Sequence, residues 1–121
     1  MDIGTNGLSC PGVDPALLVS RIVSFGQSVL ALPSVSEVVL CQFLPRPCVA
    51  IRPTGHCLFP VRADFNEAWF VVNRTLDGLT RNLPHIQYWR HHRMHADWEQ
   101  YFDRFSVHLN AVGMQKYVHS I

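Results

Sequence analysis

Val38-Val39-Leu40-Cys41 is the stretch on which the fold turns. It is continuously apolar and opens with two β-branched residues, a composition that suits a pleated strand. Continuous rather than alternating apolarity predicts a parallel strand covered on both faces. The strand segment lies within Val35 to Phe43, and Pro45 and Pro47 close it.

Upstream, Asp14 supplies an N-cap acid and Pro15 a first-turn proline, the two residues that start a helix. Leu18, Ile22, Phe25, Val29 and Leu32 follow at alternating spacings of four and three, one apolar stripe that Pro33 ends. Before it, Met1-Asp2-Ile3 reads as the tail of a buried strand running into the turn Gly4-Thr5-Asn6-Gly7. This abrupt start is the expectation of a domain cut in mid-strand. Downstream, Pro45 to Val61 holds four prolines and one glycine and reads as a long loop. A second helix is predicted from Ala63 to Leu83, with Phe65, Trp69, Val72, Leu76 and Leu79 on its apolar side. Its Asp64 and Glu67 stand near the positive end of the helix dipole. Pro84 stops it, and His85 to Trp89 reads as a short strand with Ile86 and Tyr88 on one face. A polar, histidine-rich loop is predicted from Arg90 to Ser106. A last helix from Ala111 to Ile121 is predicted to bury Met114, Val118 and Ile121.

Strand and helix alternate, so the fold class is α/β with a parallel sheet and flanking helices. Right-handed crossovers gather the strand C-terminal ends on one edge. Asn6, the proline-rich loop and the histidine-rich loop are all predicted to meet there.

The 121 residues suit one domain, and 48% hydrophobic against 16% charged residues allow a core. A net charge of +1 makes no case for nucleic acid or acidic lipid. No stretch approaches the ~18 apolar residues of a membrane span, and no signal peptide is recognisable, so the compartment stays open. Cys10, Cys41, Cys48 and Cys57 form no Cys-x-x-Cys pair, which argues against a zinc ribbon or a thioredoxin-like site. Cys41 reads as a small core residue. Cys48 and Cys57 could pair across their loop only in an oxidising compartment. Asn73-Arg74-Thr75 matches a glycosylation pattern inside a predicted helix and reads as chance.

Two separated pieces carry chemistry: Ile3-Gly4-Thr5-Asn6 after a strand, and Val107-His108-Leu109-Asn110-Ala111-Val112-Gly113 before the terminal helix. Between them lie Val38-Val39-Leu40-Cys41-Gln42-Phe43-Leu44-Pro45-Arg46-Pro47, Phe65-Asn66-Glu67 and Val72-Asn73-Arg74. In this order the pieces resemble the SGNH (GDSL-like) hydrolases over nearly the whole chain. The resemblance implies a flavodoxin-like three-layer sandwich, incomplete here, with about three strands in a single partial domain over residues 1–121. In that family a serine attacks an ester carbonyl, a histidine takes its proton, and an aspartate three residues earlier orients the histidine. Asn6 matches the oxyanion-hole asparagine and His108 the general base.

The departures weigh as much as the matches. No Gly-Asp-Ser block precedes Gly4, and Phe105 stands where the family has the triad aspartate. Asp103 is the substitute acid if the loop bulges. Gly7 replaces the aspartate that usually follows the asparagine. The expectation is an esterase-like hydrolase domain, truncated and catalytically inactive as this chain, needing no cofactor or metal. An ester substrate is expected only if a missing segment completes the site, and self-association through an exposed sheet edge is expected. Two other classes compete: a non-catalytic interaction module, and a metal-binding protein using His91, His92, His95, Asp97 and Glu99. The blander reading of that cluster is a polar surface loop, with Trp89 and Trp98 packing beside it.

Overall fold

The computed structural model describes residues 7–8, 12–45, 64–92, 94, 98–102 and 108–121. Helix α1 spans Pro15–Leu30, strand β1 Val38–Cys41, helix α2 Phe65–Thr80, strand β2 Ile86–Trp89 and helix α3 Ala111–Ser120. A short 3-10 turn covers Trp98–Tyr101. The predicted first strand and the loop over residues 46–63 lie outside the described residues.

The two strands are parallel, with Val38 opposite Ile86, Val39 opposite Gln87, Leu40 opposite Tyr88 and Cys41 opposite Trp89. This establishes a mixed α/β architecture in which a helix connects parallel neighbours. Strand alternation divides the sheet into two faces. Val38, Leu40 and Ile86 join Val19, Ile22, Phe65, Ala68, Val72 and Leu76 in one core, so α1 and α2 cover the same face. The other face carries Val39 and Trp89, both partly open to solvent. Trp89 there donates from Nε1 to the Ser120 carbonyl at 2.7 Å, tying down the end of α3. Among the described residues this second face is only partly covered, where the sequence predicts a strand covered on both faces. Cys41 is buried, as a small core residue should be.

Asp14 caps α1 as its chemistry predicts, its Oδ1 accepting from the Ala16 N–H at 3.0 Å. The helix stops at Leu30, short of Leu32, which is exposed. Its buried line is Val19, Ile22 and Gly26, while Phe25 faces solvent. The physical reason is Gly26: a Cβ there would already touch Leu40, Val38 and Ile86 at 3.6–3.8 Å. The helix settles on the sheet through its smallest residue, and that rotates the larger Phe25 outward.

Helix α2 keeps Phe65, Val72 and Leu76 buried but turns Leu79 out. In α3 the correction is larger. Met114, Val118 and Ile121 are exposed, and the buried residue is Gly113. The stripe exists in the sequence, but nothing among the described residues covers it. The loop after β2 is also not simply polar, since His91, Met94, Tyr101 and Phe102 are buried. Just before β2, His85 adopts a positive φ of 62°, rare for a side-chain-bearing residue. Its carbonyl accepts from the Val38 N–H at 2.9 Å, so the strained residue opens the parallel ladder. Among the described residues, no helix is long and apolar enough to cross a membrane.

Candidate functional site

The C-terminal ends of parallel strands are where α/β folds place their sites. Here β1 runs into Gln42 and Phe43, and β2 into Arg90, His91 and His92. The two exits are tied together: the Gln42 N–H donates to the Trp89 carbonyl at 2.8 Å. In return, Gln42 Oε1 accepts from the His91 N–H at 3.1 Å. Helix α2 closes the third side. Gln42, Trp69, Phe70, Asn73, Arg74, Tyr88, Arg90, His91 and His92 line a cleft of about 430 Å³, within the size range of small-molecule sites.

Asn73 organises its floor. It stands four residues after Trp69 and three before Leu76, on the buried side of α2, and a polar group there must find partners. Its Oδ1 accepts from the Phe43 N–H at 2.8 Å and from the Tyr88 hydroxyl at 2.9 Å, while Nδ2 donates to the Phe43 carbonyl at 3.2 Å. Trp69 Nε1 donates to the same carbonyl at 2.6 Å. The side-chain amide thus continues the hydrogen bonding of a strand that has just ended. With both amide atoms engaged and the residue buried in a helix, Asn73 is no glycan acceptor, in line with the chance reading. Burial pushes the Tyr88 phenol well above its ordinary range.

Outside the cleft, Asp77 hydrogen-bonds Arg90 and pairs with Arg81 at 3.1 Å. The Arg90 hydrogen bond, then the neighbouring Arg81 and Arg90 charges, hold its carboxyl below the usual aspartate range against a partial desolvation effect.

His91 is buried, with Nδ1 2.7 Å from Ser120 Oγ and its ring 4.3 Å from that of Tyr117. A serine beside a histidine invites a nucleophile reading, but the hydrogens argue otherwise. The Ser120 hydroxyl donates to the Tyr117 carbonyl at 2.7 Å, so its one hydrogen is spent and His91 Nδ1–H is the donor to Oγ. Activation of a serine requires the opposite direction. The pair instead joins the end of α3 to the strand exits.

His108 is exposed and does not line the cleft. It sits two residues before Asn110, which anchors the start of α3. Asn110 Oδ1 accepts from the Gly113 N–H at 2.9 Å, and Nδ2 donates to the Gln100 and Phe102 carbonyls at 2.7 and 2.9 Å. Its backbone N–H donates to the Tyr101 carbonyl at 2.8 Å. Phe102 and Leu109 form an isolated antiparallel bridge beside it. Asn6, Asp103 and Phe105 lie outside the described residues, so of the predicted site only His108 is placed. Of the histidine cluster, His91 is buried with Nδ1 beside Ser120 and His92 is exposed, while His95, Asp97 and the side chain of Glu99 lie outside the described residues. Among the described residues, no three His, Cys, Asp or Glu side chains gather as a metal site.

Sequence reasoning missed Gln42, Asn73 and Tyr88 as an organised group. The signal available was Asn73 itself, an amide on an apolar helix face. No protein-family model, no curated protein and no solved structure matches this chain.

Proposed function

We propose that the chain is an SGNH-type, esterase-like hydrolase domain of flavodoxin-like architecture, catalytically silent as these 121 residues. The observation that carries the reading is the setting of His108. It stands in the short segment that Asn110 fastens to the 98–102 turn, immediately before the last helix. The general-base histidine of the proposed family would occupy this place in the chain, and here it is exposed and open to a reacting group. The parallel β1–α2–β2 order, with α1 and α2 on one face, is compatible with the same reading. Silence follows from chemistry: the sequence holds no Gly-Asp-Ser block, and Phe105 cannot orient an imidazole. Ser120 is also turned away from activation. Asn6 would complete an oxyanion hole, with Asp103 the substitute acid, once a serine-bearing segment joined the site. Self-association is part of the proposal, through a sheet edge and through the side of α3 that carries Met114, Val118 and Ile121, three apolar residues that are exposed.

The purified chain is expected to turn over p-nitrophenyl acetate no faster than its His108→Ala variant. A clear turnover that disappears in His108→Ala would overturn the silent reading and require an unconventional nucleophile.

A further inference from the structure

The cleft beside α2 has a chemical character that the hydrolase reading does not use. Several of its described polar groups are already engaged. Asn73 Oδ1 takes two hydrogen bonds, Gln42 Oε1 takes the His91 N–H, and the Tyr88 hydroxyl donates to Asn73. Donors remain: the Gln42 Nε2 hydrogens, the exposed Arg74 guanidinium, and the N–H groups of Arg90 beyond those held by Asp77. No carboxylate is among the described residues that line the cleft. Asp77, outside the cleft, faces both Arg81 and Arg90, and no described carboxylate pairs with Arg74. The remaining walls are the rings of Trp69, Phe70 and Tyr88, with Phe70 largely exposed. Tyr88 and Trp69 are held in place by their own hydrogen bonds, which makes them rigid faces for a flat group.

Free donors, excess positive charge and fixed aromatic walls select one ligand class. We infer that this cleft binds a small aromatic oxyanion, an aryl ring carrying a carboxylate or phosphate, with Arg74 gripping the anionic end. Guanidinium groups bind both oxyanions through paired N–H donors, and the rings cover the flat apolar body. Arg74 is exposed and takes no part in the core, so its replacement leaves the fold intact. The inference stands independently of the hydrolase reading, because His108 is not among the described lining residues.

Calorimetric titrations of the intact chain with benzoate, phenyl phosphate, benzyl alcohol and inorganic phosphate test it. Saturable binding of benzoate or phenyl phosphate is expected, and which of the two binds tighter identifies the anionic group. Benzyl alcohol and inorganic phosphate are expected to bind at least about tenfold more weakly, since each lacks one half of the recognised ligand. Arg74→Gln should weaken the aryl anion by about tenfold or more, the scale of a charged hydrogen bond. Arg81→Gln, which removes a neighbouring charge outside the cleft, should change it little. Absence of saturable binding by both aryl anions would overturn the inference. So would equal binding of benzyl alcohol, or an equal loss in Arg81→Gln, which would indicate a merely greasy or merely basic surface.

Discussion

Gly113→Ala is expected to release α3 and lower stability by about 3–5 kcal/mol, combining overpacking with the loss of a cap. A Cβ at Gly113 would overlap the Tyr101 carbonyl oxygen and lie 2.8 Å from Tyr101 Cβ and 2.9 Å from its carbonyl carbon. Two of these three atoms are backbone, so no rotamer change relieves the clash. The helix must move, and the Asn110 bonds to Gln100, Tyr101 and Phe102 must break with it. The Trp89–Ser120 and His91–Ser120 ties and the His91–Tyr117 ring contact would remain at its far end. Domains of ordinary stability hold only ~5–15 kcal/mol in total, so thermal unfolding by circular dichroism should show a large fall in midpoint. Gly78 provides a control of opposite sign. A Cβ there meets nothing within 4 Å, and it lies inside α2. Gly78→Ala should therefore stabilise by up to about 1 kcal/mol. Equal behaviour of the two alanines would mean that α3 is not packed on the Tyr101 backbone.

Asn73→Ala is expected to cost about 3–5 kcal/mol in urea unfolding. It leaves the Phe43 N–H and the Tyr88 hydroxyl without their shared acceptor, at about 1–3 kcal/mol for each buried group. The Phe43 carbonyl keeps Trp69 Nε1 and adds less to the loss. Adding Tyr88→Phe to Asn73→Ala should return part of the stability, because the phenol no longer needs a partner. A double variant as unstable as the sum of the two single changes would deny the coupling. The same phenol sets an alkaline limit. Its folded-state pKa is raised above the unfolded value by burial, so its contribution is complete below the ordinary tyrosine value of ~10. That contribution falls away as pH rises above it. Tyr88→Phe should flatten the decline.

The elements were legible in the sequence because their signals are local. Asp14 capping α1 and the β-branched run of β1 each depend on a few neighbouring residues. Which side of a helix is buried was less legible, since it depends on what arrives from far along the chain. Phe25 gave way to Gly26 because the sheet needed a close approach, and the apolar stripe of α3 faces outward because Gly113 lets Tyr101 dock on the other side. His91 read as part of a surface loop because its partners, Tyr117 and Ser120, stand nearly thirty residues later. The resemblance to a hydrolase drew attention to His108, whereas the cleft depends on Asn73, whose neighbours in sequence gave it a misleading glycosylation pattern. The Asn110–Gly113 spacing was visible within the quoted motif, but only the Tyr101 backbone gives it a reason.

The hydrolase-like reading requires Asn6 and His108 to share the strand C-terminal edge, about a hundred residues apart in the chain. His85, which precedes β2, marks the opposite edge. Cysteines can be placed at 6 and 108, or at 6 and 85, in a chain whose Cys10, Cys48 and Cys57 are serine and whose buried Cys41 is kept. At low protein concentration, a short bismaleimide reagent should join Asn6→Cys to His108→Cys within one molecule and leave the Asn6→Cys, His85→Cys pair unjoined. Preferential joining of 6 to 85 would place Asn6 at the wrong end of the sheet and contradict the account.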